Sequence, residues 1–559
     1  MKKFLIRVSF LIIVVFIMFT ESIYGQDYYV SNSGDDSNPG TSPEAPWESI
    51  SKVNSFNFQP GDTIHFKCGD TWREQLIPKG GNSSGKIVYT SYGNGEKPCF
   101  LGSIDKSSES DWYYEGNNIW SIYPANNRIV STIIPDISKI TVWSKNNNAV
   151  KTKILSDTSG IKYMELTCLD SPGEAKDIQM MIDKLNIRNG KSYVFSFTAR
   201  SSEHFKIPSI LLMKKTSPWD NYSARSSDTS PEITQDWKTY KVFYQANRND
   251  PDAEISILLG SEFPKGAVLY ISSISFSEVE NSDIYYDVGN VILNNGKLCG
   301  KKVFTPGELK SQNDFYYDSE KKTLMIYSSE NPARLYDSIE LALDKHIIDI
   351  NYKSDIVINN IDIKFGSSCG IFGVETSGIE IRNCRISFIG GSVLYWKDGV
   401  PVRYGNGINF MNNASDNLVE NCFITEIYDA ALTNQANIAS SEQKNIIYKN
   451  NMVSNCEWSF EFWNSGPGAL ADGIYFINNT CEDAGYGWGN DQRPDPSGIH
   501  VFLPHNTAFS SNIVIKDNIF RNSKCSILYI SGVNNTLKNM ILKENTCIQP
   551  KHMITALTF

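Results

Sequence analysis

The sequence predicts an all-β protein: a right-handed parallel β-helix interrupted by an antiparallel β-sandwich of jelly-roll type. Two observations lead there. From about residue 356, short β-branched runs recur and each enters a polar turn: IVINNIDI, IEIRNCRI, NLVENCFI, NIIYKNNMV, GIYFINNTC, NIVIKDNIF and MILKENTCI. Aligned at Asn360, Asn383, Asn421, Asn450, Asn478, Asp517 and Glu544, they stand 23, 38, 29, 28, 39 and 27 residues apart. A variable period above about 20, without helical patterning between the strands, belongs to a coil whose turns carry loops of different length. Between Tyr123 and Asp283 the runs change character. KSYVFSFTARSS, QDWKTYKVFYQA, AEISILLGS and KGAVLYISSISFSEVE are long and alternate apolar with polar residues, as the strands of an antiparallel sandwich do.

Taken in order, the chain opens on MKKFLIRVSFLIIVVFIMFTESIYGQD, where Lys2, Lys3 and Arg7 precede an apolar run. The run is roughly a dozen residues, short for a bilayer span, so 1–25 is expected to be a signal peptide cleaved before Gln26. The mature protein is then secreted or periplasmic, with no integral membrane span. Next come YYVSNSGDDSNPGTSPEAPWESISKVN and QPGDTIHFKCGDTWREQLIPKGG. They resemble the opening of secreted pectate-lyase-like β-helix proteins. That resemblance implies that 26–123 is a cap and the first part of the coil, with a short helical piece over its open end. The strands of 135–281 resemble the carbohydrate-binding β-sandwich modules attached to xylan- and glucan-degrading enzymes. Sugar C–H faces stack on exposed rings, so Trp143, Trp219 and Tyr222 are the candidate contacts there, with SPWDNYSARSS the binding loop. The main coil is expected over 283–559.

A net charge of -10 argues against holding a polyanion by bulk charge, so nucleic acid is not the expected partner. The expected partner is a polysaccharide or oligosaccharide, met by a monomer. No nucleophile elbow, phosphate loop, zinc motif or dinucleotide fingerprint is present, and His65, His204 and His346 are too scattered to suggest a metal site. The 11 cysteines are odd in number and form no CxxC. Cys384 and Cys422 align from rung to rung and read as small core residues, with disulfides as the alternative.

Projecting the rungs on one another puts Val393, Ala431, Phe460, Trp488, Ile527 and Ile554 in one inward column. Glu461 then faces outward. Asp429 sits at the turn before its strand, and Asp491 falls on the rung after Glu461. The two longest rungs insert YWKDGVPVRYGNG and GYGWGNDQRPDPSGIH beside these carboxylates, as the two walls of a cleft. The candidate catalytic set is Asp429, Glu461, Asp491, Arg493 and His500. The candidate substrate contacts are Trp396, Arg403, Tyr404, Trp463 and Asp495.

Three functions fit these residues. The first is a glycoside hydrolase working with a pair of carboxylates and no cofactor. VRYGNGINF, YDAALTNQ, FEFWN and the long loop look like secreted β-helix proteins of bacterial polysaccharide-utilisation systems, several of which are glycosidases. The polygalacturonase motifs NTD and GHG are absent, which counts against pectin. The second is a uronate-specific lyase, in which Lys397, Arg403, Arg493 or His500 serves β-elimination and acidic residues hold Ca²⁺. The third is a glycan-binding protein without catalysis.

Overall fold

The computed structural model describes residues 25–122, 129–158, 160–170, 173–227, 229–279, 284–504, 509–530 and 537–549. The expected signal peptide, Gly25 apart, lies outside the described residues, as does Ile554. The chain divides into two compact units. One comprises 1–107, 287–302 and 336–559, the other 108–286 and 303–335.

The first unit is a parallel β-helix with three faces. One long face runs through Asp27–Val30, Thr63–Lys67, Ile87–Tyr92, Ile356–Asn359, Glu380–Arg382, Leu418–Glu420, Glu442–Lys449, Leu470–Ile477 and Phe509–Lys516. A second follows Thr71–Trp72, Cys99–Leu101, Asp362–Gly366 and Arg385–Ile389 into the first halves of Phe423–Ala436 and Met452–Asn464. The second halves of those two strands belong to a third face, with Ile371–Val374 and Ile408–Met411 before them and Ile499–Leu503 and Ser526–Ile530 after. Inward side chains of all three faces fill one core, including Phe66, Phe100, Ile363, Ile386, Ile424, Phe460 and Phe476. At the N-terminal end the short helix Ile50–Ser55, capped by the Ser49 side chain, buries Ile50 and Val53 in this core beside Trp47.

The aligned turn residues share one backbone state: Asn360, Asn383, Asn421, Asn450, Asn478, Asp517 and Glu544 all have φ between 53° and 59°. Left-handed backbone favours Asn and Asp after glycine, which explains the recurring residue. A ladder of asparagines runs one residue beyond these turn positions. Asn451, Asn479, Asn518 and Asn545 are stacked, each Oδ1 accepting the backbone N–H of the rung before, from Cys422, Asn451, Asn479 and Asn518, at 2.8–3.0 Å. Each Nδ2 donates to a backbone carbonyl, of Val419, Tyr448, Phe476 and Ile515. Cys384 and Cys422 occupy the same column in earlier rungs, buried, and all eleven cysteines are free thiols.

The second unit is mainly a sandwich. Its seven-stranded antiparallel sheet contains Val150–Ser156, Lys162–Cys168, Val268–Val279, Ser192–Ser201, Lys238–Ala246, Ser223–Ser227 and Ile129–Ile133. The other sheet runs Thr141–Ser144, Ile178–Ile187, Asp250–Leu258, Ser209–Met213. Alternation decides the burial: Tyr193, Phe195, Phe197 and Ala199 of one strand face Ile255, Ile257 and Ile210 of the other sheet in a shared core.

Several stretches expected to be rungs are antiparallel instead. Tyr113–Gly116 and Ile119–Ile122 form a hairpin that pairs with the hairpin Asp314–Asp318/Thr323–Tyr327. Asn117 and Asn118, at φ 51° and 62°, supply the two-residue turn of the first, a local pairing that precludes a rung. In the coil unit, Val288–Leu293 and Ser103–Asp105 flank Ile339–Leu343, again antiparallel.

Candidate active site on the third face

Successive rungs of the third face align Phe372, Asn409, Thr433, Glu461, Phe502 and Tyr529 in one outward column. Glu461 is only 2% exposed. Its Oε2 accepts from Thr433 Oγ1 at 2.8 Å and from Gln435 Nε2 at 2.7 Å, and its Oε1 receives no hydrogen bond among the described residues. Burial, then the nearby charge of Asp429, pushes this carboxyl up to about 7.

Asp429 enters the same face one rung earlier, just before Ala430, whose N–H is fixed by Asn406 Oδ1 at 3.0 Å. Its Oδ1 accepts from Arg493 Nη1 at 3.0 Å, and its Oδ2 has no partner among the described residues. Burial raises it to about 6, with Arg493 pulling the other way. The Arg493 side chain is itself buried. Burial works against its charge, but Asp429, Tyr428 and Glu457 outweigh that and hold it above its ordinary value. Its guanidinium also lies over the rings of Tyr428, at 5.1 Å, and Trp458, at 4.9 Å.

Glu457, which the sequence reading passed over, stands on the rung beside Asp429 but differs from it in kind. Its Oε1 accepts from Ser497 N, Ser497 Oγ and Gly498 N, and its Oε2 from Asn490 Nδ2 at 2.7 Å. Both oxygens are thus spent on tying down the long loop 485–498. Glu426 ties it a second time, through Trp488 N at 2.9 Å. Two glycines in GYGWGN let the loop lie flat on the coil. A Cβ at Gly487 would stand 2.1 Å from the Asn455 carbonyl oxygen, and one at Gly489 2.5 Å from the Tyr428 ring.

Several expected site residues stand elsewhere. Asp491 is not on the rung after Glu461, where Phe502 sits. It belongs to a short turn of the loop, its side chain 91% exposed and 3.3 Å from Lys524. Trp488, expected inward, is on the same loop and donates to Glu426 O. His500 faces the interior: Nε2 donates to Arg521 O at 3.0 Å, Nδ1 accepts from Ser459 Oγ at 2.9 Å, and burial lowers its titration to about 4. Arg403 is buried and spent on Gly391 O, Gly289 O and Gln492 Oε1, leaving no fork for a substrate. Tyr404 donates to Asp344 Oδ1 at 2.8 Å and meets Ser368 Oγ, so its hydroxyl is taken up by residues of earlier rungs.

Val393 and Trp396 lie on the hairpin Ser392–Lys397/Val400–Tyr404 and not on a rung. This hairpin and the long loop do not form opposite walls. They meet, with Gln492 accepting from Arg403 while donating to Gly300 O. Trp463 is half-buried, with Nε1 donating to Ser465 Oγ, and Asp495 is exposed, 3.5 Å from Arg493. The residues missed were Glu457, Trp458, Phe502, Thr433 and Gln435. Trp458 and Phe502 stack at 4.3 Å beside Arg493 and make an aromatic platform next to the two carboxyls.

In the sandwich, Trp143 and Trp219 are 45% and 61% exposed, at the two opposite edges of the four-stranded sheet. Tyr222, expected as a sugar contact, is instead buried in the core between the sheets, where its ring face is not open to a ligand. Among the described residues no group of His, Cys, Asp and Glu is placed to hold a metal ion, and no helix is long and apolar enough to cross a membrane.

No family model matches the chain. A lacto-N-biosidase of Bifidobacterium longum subsp. longum is 34% identical over 136 residues, which are 22% of this chain and 8% of that protein. The match therefore spans a small part of that relative's length. A glycoside hydrolase structure is matched over 94% of this chain and 97% of its own, at 9% identity and a TM-score of 0.36. The GH136 lacto-N-biosidase from Eubacterium ramulus is matched over 94% of this chain and 68% of its own, at 10% identity and a TM-score of 0.27. A CBM4 structure covers 28% of this chain over 99% of its own, at 21% identity and a TM-score of 0.21.

Proposed function

We propose that the protein is a glycoside hydrolase in which Glu461 is the general acid and Asp429 the carboxylate that acts as nucleophile or base. One observation carries this reading: each of these two buried carboxyls is gripped by one oxygen and leaves the other without a partner, while neighbouring Glu457 is fully spent. Hydrolysis of a glycosidic bond requires two carboxyls of unlike protonation. Here the environments separate them. Arg493 favours the ionised form of Asp429, and the charge of Asp429 in turn keeps the proton on Glu461. The proton leaves Glu461 Oε1 for the glycosidic oxygen, and Asp429 Oδ2 serves the sugar carbon directly or through water. Trp458, buried between Phe502 and Arg493, backs the part-exposed Phe502 as an apolar surface for the sugar beside the two carboxyls. The 34% identity of one segment to a lacto-N-biosidase supports the same class.

The test is digestion of a panel of host and plant glycans, scored for new reducing ends and for unsaturated products. Glu461→Gln and Asp429→Asn should each lower turnover by about 10²–10⁴-fold with substrate still bound. Near-native turnover in both variants, or unsaturated products from the native chain, would overturn the assignment.

A further inference from the structure

The outward surface of the seven-stranded sheet carries an aromatic cluster unrelated to Trp143 and Trp219, which flank the other sheet. Tyr163, Tyr270 and Trp237 form a triangle, with ring centroids 6.1 Å, 6.3 Å and 6.4 Å apart. Arg200 lies over two of the rings, its guanidinium 4.5 Å from Tyr270 and 5.4 Å from Trp237. The register explains the meeting: Glu165, Tyr270 and Arg200 are cross-strand neighbours in one row, and Trp237 precedes the next strand. Trp237 is 45% exposed.

The cation is held by the rings and by no carboxylate among the described residues. Arg200 Nε is buried without a hydrogen bond, and no ion pair to Arg200 is formed among the described residues. The carboxylate in its row, Glu165, pairs instead with Lys153 at 3.5 Å. An arginine stacked flat on rings presents its N–H fork edgewise, the geometry that takes a carboxylate with two parallel bonds. Ring faces beside the fork suit the C–H face of a pyranose.

We propose that this surface is a binding site for a carboxylated glycan, the acid on Arg200 and the sugar ring on Trp237. It would let a chain of net charge -10 hold an acidic polymer by a local site and not by its overall field. The proposal does not depend on the hydrolytic assignment.

Affinity electrophoresis of the full chain through gels holding polygalacturonate, alginate or neutral xylan tests it. Polygalacturonate or alginate should retard the protein, and added salt should relieve the retardation. Trp237→Ala and Arg200→Met should each weaken binding about tenfold or more, while Trp219→Ala leaves it in place. Arg200→Met keeps an unbranched apolar stem over the sheet and removes the guanidinium with its charge and its fork. Unchanged melting of both variants, expected for substitutions at the surface, separates lost contacts from lost folding. No retardation by either acidic polymer, retardation indifferent to both variants, or equal retardation by xylan would overturn the proposal.

Discussion

Replacing Glu461 with Gln removes one titrating carboxyl from the third face while keeping its shape, and its effect on stability can be worked from the structure. The folded chain holds this proton up to a pH of about 7, against 4.5 for an unperturbed glutamate. Below 4.5 both folded and unfolded chains are protonated, and the group costs nothing. Between 4.5 and 7 the unfolded chain releases its proton while the folded chain keeps it, so stability falls as pH rises. At 1.4 kcal/mol per pH decade the loss amounts to roughly 3 kcal/mol by pH 8. Gln cannot titrate, so Glu461→Gln should escape that loss. The variant should therefore gain up to about 3 kcal/mol relative to the native chain between pH 4 and pH 8, while losing activity. Urea unfolding at the two pH values, read on the transition of the coil unit, measures the difference. Identical pH dependence in the two proteins would show that Glu461 is not held protonated, and the general-acid role would fall with it.

Arg493→Met removes the charge that favours ionised Asp429, so the acidic limb of the kcat/KM profile should move to higher pH by about one unit or more; an unmoved limb would separate Arg493 from the reacting pair. Asn479→Ala deletes the acceptor of Asn451 N and the donor to Tyr448 O inside the ladder. It should cost about 2–4 kcal/mol of stability and leave turnover intact at low temperature, as thermal melts and assays can check.

The rungs were legible because left-handed turns demand Asn or Asp, and the sandwich because half-buried strands alternate. The site was legible only in part. Glu461 stood out because it breaks an apolar outward column and Asp429 because it precedes its strand at a turn, and both lie on the third face. Asp491 and Trp488 were misplaced because a fixed offset from the turn residue assumes rungs of equal strand length. The strand after Ala484 is instead delayed to Ile499 by the long loop, and Trp488 filled the apolar column only by composition. Arg403 and His500 were misread for another reason. Which of their nitrogens the backbone consumes depends on carbonyls distant in sequence, such as Gly289 O for Arg403, and no local pattern records that. Glu457 and Glu461, four residues apart on one strand, look alike in sequence and differ only in what the loop brings to them.

Rungs adjacent in the coil need not be adjacent in the chain: Ile356–Asn359 pairs directly on Ile87–Tyr92, and Asn359 donates to Thr90 Oγ1 across 269 residues. During synthesis the first rungs emerge with no neighbour to cover them. Their open edge must wait for the return strand, exposed to misassociation in the interval. An intervening segment that folded first would shorten the flexible span to be closed, and closure entropy grows with that span. The antiparallel pairing of Ser103–Asp105 with Ile339–Leu343 then sets the register in which the later rungs arrive. The speed and yield of coil assembly should accordingly be set by the insert, so that weakening its core would slow maturation of the candidate active face, which it does not itself build.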